Sequence, residues 1–137
     1  MREMARLAAA GLVLAGLLAA DGAQAVELTG AWATYVDKCN QVFTKKGRTN
    51  KLGFTAFSEQ YGGGFIVEAN QLRGKFASCT IKNRKEDGQT IHILASCSTD
   101  IMLSNVQFSL KTPEPDKIIR LFPGMDAMEM TYYRCPI

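Results

Sequence analysis

From Lys51 onward, apolar and polar positions alternate with period two, and the alternation is interrupted at short intervals by turn-forming residues. Leu52 to Ser58 and Phe65 to Asn70 read as strands on either side of Glu59-Gln60-Tyr61-Gly62-Gly63-Gly64, whose glycines permit positive φ. Lys75 to Lys82 and Thr90 to Cys97 read as a hairpin. One face of it carries Ala77, Cys79 and Ile81, and the partner strand carries Ile91, Ile93, Ala95 and Cys97. Both apolar sets lie on odd positions, so facing residues must sum to an even number. A three-residue loop, Glu86-Asp87-Gly88, meets that condition. Leu103 to Leu110 follows, then the turn Pro113-Glu114-Pro115-Asp116, a strand over Lys117 to Phe122, the turn Pro123-Gly124, and a last strand over Met128 to Cys135.

Upstream, Glu27 to Ala33 forms a short strand, and the pattern predicts one helix over residues 35–43. Thr34 and Asp37 have capping-box spacing, and Tyr35, Val36, Cys39, Val42 and Phe43 repeat at helical intervals. Lys45, Lys46 and Gly47 supply its basic end and stop. About eight short strands with hairpin-length connections predict a mostly β domain with one short helix. The expected architecture is an up-and-down barrel or strongly curved sheet, because closure removes exposed edges. An open sheet or sandwich with the helix packed on it is the main rival.

Residues 1–25 follow a different pattern. Arg2 and Arg6 precede an unbroken Ala/Leu/Gly/Val run from Leu7 to Ala20, and Ala23-Gln24-Ala25 supplies small-x-small cleavage chemistry. The run is shorter than the ~20 residues a membrane-spanning helix needs. A cleavable signal peptide at 1–25 is therefore expected, with a retained N-terminal anchor as the competing reading. A single domain over 26–137 would follow, in the periplasm or secreted, with no membrane span after cleavage. The net charge is +3, and losing residues 1–25, with two basic and two acidic side chains, leaves it unchanged. That mild bias suits an anionic surface or acidic partner and gives no reason to invoke nucleic acid.

Cys39, Cys79, Cys97 and Cys135 all fall after residue 25. An even count in an exported chain reads as disulfides, while a zinc site lacks a C-x-x-C and has one histidine to draw on. Cys79–Cys97 lies on one face of the best-specified hairpin, which leaves Cys39–Cys135 to tie the helix to the last strand. Cys135 alternates against Met128, Met130 and Tyr132, so this pairing requires a bulge near Tyr132-Tyr133 if the cysteine is to face inward. Peptide pairings of the other two connectivities remain open.

Candidate chemistry is sparse. His92, the single histidine, falls on the outward row of the hairpin between Ile91 and Ile93, and no sequence neighbour completes a nucleophile–base system. No catalytic residue, cofactor-binding motif or metal-ligand set is assigned, and no cofactor is expected. Lys45, Lys46, Arg48 and Lys51 form the densest charge, a solvated loop or a contact for anionic groups. Met102, Met125, Met128 and Met130 serve as core filling or as an adaptable binding surface.

Gly30-Ala31-Trp32 resembles the G-x-W opening of lipocalin-type barrels. That resemblance implies a tryptophan plugging the closed barrel end, covered by an arginine from a late strand, here Arg134 or Arg120. Cys39 and the helix depart from the lipocalin pattern and count against a deep cavity. Leu28, Gly30, Trp32 and Cys39 also resemble small exported barrel inhibitors of secreted proteases, and the layout is similar to that of exported alphaproteobacterial proteins. The resulting expectation is a non-catalytic binding module of inhibitor or protein-interaction type, with an envelope protein or protease as partner. The alternatives are a lipocalin-like carrier of a small apolar ligand and a small periplasmic enzyme. A filled barrel favours the first and a cavity of a few hundred Å³ the carrier.

Overall fold

The computed structural model describes residues 26–137; the signal-peptide expectation for 1–25 lies outside the described residues. Among the described residues ten strands form, and eight of them close into an antiparallel barrel. In chain order they are β1 (Gly30–Ala33), β2 (Phe43–Lys46), β3 (Lys51–Phe54), β4 (Gly64–Glu68), β5 (Gln71–Arg73), β6 (Ser78–Asp87), β7 (Thr90–Ser98), β8 (Leu103–Glu114), β9 (Lys117–Leu121) and β10 (Glu129–Arg134). From β4 to β10 each strand pairs with the next. β1 closes the ring between β4 and β10, so no barrel strand keeps a free edge. The strands β2 and β3 form a separate hairpin inserted between β1 and β4.

Period two divides the barrel residues between two apolar clusters. Trp32, Val67, Leu72, Cys79, Ile91, Ile93, Ala95, Cys97, Leu110, Ile118 and Tyr132 face inward with Leu28. The intervening residues Ala31, Ala33 and Ile66 face outward. They are covered by Cys39, Val42, Phe43 and Cys135, with Leu52 and Phe54 packed alongside. The barrel therefore has a core inside and a smaller one on its outer wall. Small side chains at 31 and 33 let the covering layer approach the wall closely.

This second core explains most departures from the sequence-based expectations. The helix is a 3-10 turn (Val36–Lys38) running into α1 (Cys39–Val42), and Phe43 already belongs to β2. Tyr35 and Val36 are exposed, and of the expected stripe Cys39, Val42 and Phe43 are buried, the last as a strand residue. No capping box forms: Thr34 donates its hydroxyl to the Gly62 carbonyl at 2.9 Å, and the 3-10 turn has no side-chain cap. Lys45 and Lys46 are strand residues, not a helix end, because β2 pairs with β3 (Thr44 opposite Gly53). Residues 52–58 and 65–70 consequently do not pair with each other. Ser58–Tyr61 forms a 3-10 turn, and β4 turns at Ala69-Asn70 into β5, a strand with a single buried residue, Leu72.

The β6–β7 hairpin combines both parities. At its tip Asp87 faces Thr90, a two-residue turn with Gly88 at φ +61°, where a II′ hairpin places glycine. The three-residue loop is thus corrected. A bulge at Lys82 then shifts the register by one, so Ile81 faces Ala95 and Cys79 faces Cys97. The even-sum pairing required by the apolar faces is met at the base of the hairpin, away from the turn.

The cysteines pair as Cys79–Cys97, with Cα atoms 4.0 Å apart, and Cys39–Cys135, at 5.7 Å. No bulge turns Cys135 inward. It faces the outer core, and its partner reaches it from the helix lying on the outer wall. Such bonds persist in an oxidising environment.

Candidate functional site

An arginine covers the tryptophan at the barrel end where β1 begins and β10 finishes. Trp32 is fully buried and donates its indole N–H to the Leu28 carbonyl at 2.8 Å. Arg134, opposite Trp32 in the β1–β10 register, lays its guanidinium over the indole ring at 4.3 Å. Its edge donates to the backbone carbonyls of Glu27 (2.6 Å), Thr29 and Pro115 and to the Asp116 carboxylate (2.9 Å). The strand direction sets this arrangement: β1 and β10 bring one residue each to the same rung. Gly30 makes room for it. Its φ is +134°, and a Cβ there would lie 3.2 Å from the guanidinium. Arg134, rather than Arg120, is the residue over the tryptophan.

Beyond this plug, Phe65 stacks on Trp32 with centroids 6.4 Å apart, and meets Tyr132 edge-on at 4.9 Å. On the far side of Phe65 is a cavity of about 250 Å³. Phe65, Leu72, Ala77, Cys79, Phe108 and Leu110 supply its apolar lining, and Arg120 and Tyr132 its polar groups. Gly64, Gly74 and Ala77 place it toward the end opposite the plug, where β4 begins and β5 turns into β6. The helix and Cys39 lie outside the barrel and occupy none of its interior.

Arg120 comes from β9, opposite Leu110 on β8 and Met130 on β10. The Phe108 and Phe122 rings stand 4.9 and 4.8 Å from its guanidinium carbon. No ion pair to Arg120 forms among the described residues. Tyr132 is buried beside it. Burial pushes the phenol pKa above its ordinary value, and the nearby Arg120 partly offsets that shift. Arg120 was not singled out for this position because its strand, Lys-Ile-Ile-Arg-Leu-Phe, is apolar on both faces. Alternation there does not reveal which side points inward.

The remaining candidates are dispersed. Lys45, Lys46, Arg48 and Lys51 are exposed around the β2–β3 turn, line no part of the cavity, and form no ion pair among the described residues. His92 Nδ1 lies 3.0 Å from Ser109 Oγ across β7–β8. Ser109 is only 2% exposed, so its hydroxyl is a cross-strand tie that a substrate does not reach. Met102, Met125, Met128 and Met130 are exposed rather than core-filling. The first three lie in the β7–β8 and β9–β10 connections. Phe76, Ile101 and Leu103 are exposed in or beside loops of the same barrel end, giving the cavity end an apolar rim. Among the described residues no cluster of three or more His, Cys, Asp or Glu is placed to hold a metal ion. No helix there is long and apolar enough to cross a membrane. No family model, curated protein or solved structure matches the chain.

Proposed function

We propose that this protein is an exported, non-catalytic binding module that holds a small apolar ligand inside its barrel. The observation that carries the reading is the cavity of about 250 Å³, lined mainly by apolar side chains and placed between the arginine-covered end and an apolar rim. Ligand sites are concave and mostly apolar with few polar groups, and this cavity lies near the lower end of their usual size. At ~30 Å³ for a water-sized group in the liquid it holds about eight such groups, and covalently bonded atoms pack closer than that, which suits a ligand of roughly eight to ten non-hydrogen atoms. Export rests on the pattern of residues 1–25 and on two disulfides suited to an oxidising compartment.

Calorimetric titration with 1-octanol tests the reading. Binding of one molecule with a negative heat-capacity change is expected. Ala77→Trp, which fills the cavity from its rim, abolishes it. A folded wild-type protein that binds neither 1-octanol nor any other eight-carbon probe overturns the proposal.

The apolar rim favours a second reading, a protein-interaction or inhibitor module that docks by this end. Ile101, Met102 and Leu103 are 95%, 60% and 84% exposed, well beyond scattered surface apolarity. On that reading the purified protein inhibits a secreted protease, and a triple serine variant at these positions loses the inhibition while 1-octanol binding is unchanged.

A further inference from the structure

Resting on the cavity reading, we propose that the site selects an apolar carboxylate, whose head is held by Arg120 with help from the Tyr132 hydroxyl and whose tail lies along Phe65, Leu72 and Leu110. The cavity contains one fixed cation in an otherwise apolar lining. Two aromatic rings lie 4.9 and 4.8 Å from its guanidinium carbon, cation–π contacts that steady the side chain without supplying a counter-charge. Those donors have no carboxylate among the described residues. The contrast with Arg134 is instructive. That side chain also lies over an aromatic ring, but its edge already donates four hydrogen bonds, to three carbonyls and a carboxylate. One arginine is a structural tie, and the other has donor capacity left over inside a cavity.

A partly buried guanidinium without a counter-charge is costly, and a ligand carboxylate supplies two acceptors matched to its fork in a medium of low dielectric. The Tyr132 phenol is protonated at neutral pH, since burial disfavours its anion, so it does not repel the ligand; its hydroxyl donates to the Met130 thioether at 3.7 Å, a weak acceptor that a carboxylate oxygen would displace. A phosphate or sugar phosphate fits poorly, because the remaining walls offer its other oxygens no partners. An amine is repelled by Arg120.

Titrations of the full exported protein with octanoate, 1-octanol and octylamine at pH 7 test the assignment, with the alkyl chain held constant. Octanoate is expected to bind about tenfold more tightly than 1-octanol or better, and octylamine more weakly than both. Arg120→Gln removes the preference, so that the variant binds octanoate no more tightly than it binds 1-octanol. Arg120→Lys retains part of the preference, as a cation without the planar fork. The wild-type ranking alone decides the matter should Arg120→Gln fail to fold. Equal binding of octanoate and 1-octanol overturns the carboxylate assignment and leaves the cavity reading standing. Binding of neither overturns both.

Discussion

At Arg134 a single side chain joins the first strand, the last strand and the β8–β9 turn. Replacing it with leucine removes the cation–π contact and leaves the carbonyls of Glu27, Thr29 and Pro115 short of a donor. A loss of about 2–3 kcal/mol in unfolding free energy is expected by urea denaturation, against under ~0.5 for Asp116→Asn. The small second value follows from the 77% exposure of the Asp116 side chain, where water competes for the ion pair. If both variants lose the same amount, the ion pair rather than the carbonyl contacts holds the plug. Ala69 offers the opposite test. It sits at φ +46° in the β4–β5 turn, a conformation that costs an L-residue about 1–2 kcal/mol. Ala69→Gly should raise stability by about 0.5 kcal/mol or more after the extra flexibility of the unfolded glycine is counted. The resemblance at Gly30-Ala31-Trp32 implied an arginine over the tryptophan, and Arg134 lies over that ring. Which arginine covers it depends on the register of β1 against β10, a contact across 102 positions of chain that no local pattern specifies (Trp32 opposite Arg134).

Among the elements, the helix and the β2–β3 hairpin are held to the barrel by the outer core, by Arg73 donating to the Leu52 carbonyl at 2.7 Å, and by Cys39–Cys135. That bond spans 96 residues, against 18 for Cys79–Cys97. On the chain-entropy model, removing it by a double alanine substitution costs about 4–5 kcal/mol, and removing the shorter one about 3. Hydrogen exchange separates this from a purely local effect. In the Cys39/Cys135 double variant, amides of β2 and β3 should exchange faster than those of β6 and β7, and uniform loss of protection would show that the outer layer is not a separate unit. The long β6–β7 hairpin was legible because its alternation runs over many residues and only one pairing buries both apolar faces. The β2–β3 hairpin was not. Phe43 continues a helical stripe in sequence, and its burial against Phe54, at 5.3 Å between ring centroids, exists only after the barrel wall is present to receive both. The bulge at Lys82 is hidden for a related reason, since it reconciles a tight turn with a face parity fixed at the other end of the hairpin.

For the molecule as a whole, the buried Tyr132 phenol ties stability to alkaline pH. Its pKa is raised in the folded protein from the ordinary 10.0, so the folded state holds that proton more tightly than the unfolded chain. The contribution is complete below pH 10 and declines as pH rises through the folded value. Tyr132→Phe should flatten the fall in melting temperature above pH 10 relative to wild type, and identical slopes would show that the phenol is not the group responsible. Sequence alone determined the β class, the approximate number of strands, the short helix and the face of the best hairpin, because each follows from periodicity and turn chemistry within a few residues. Tertiary structure decided what those features enclose. Closure of β1 against both β4 and β10 sent alternate residues of the same strands to two cores, and set Arg134 over Trp32 and Arg120 into a cavity. An arginine on a strand reads the same in either place. Its surroundings are supplied by residues far away in the chain, and only the closed barrel brings them together.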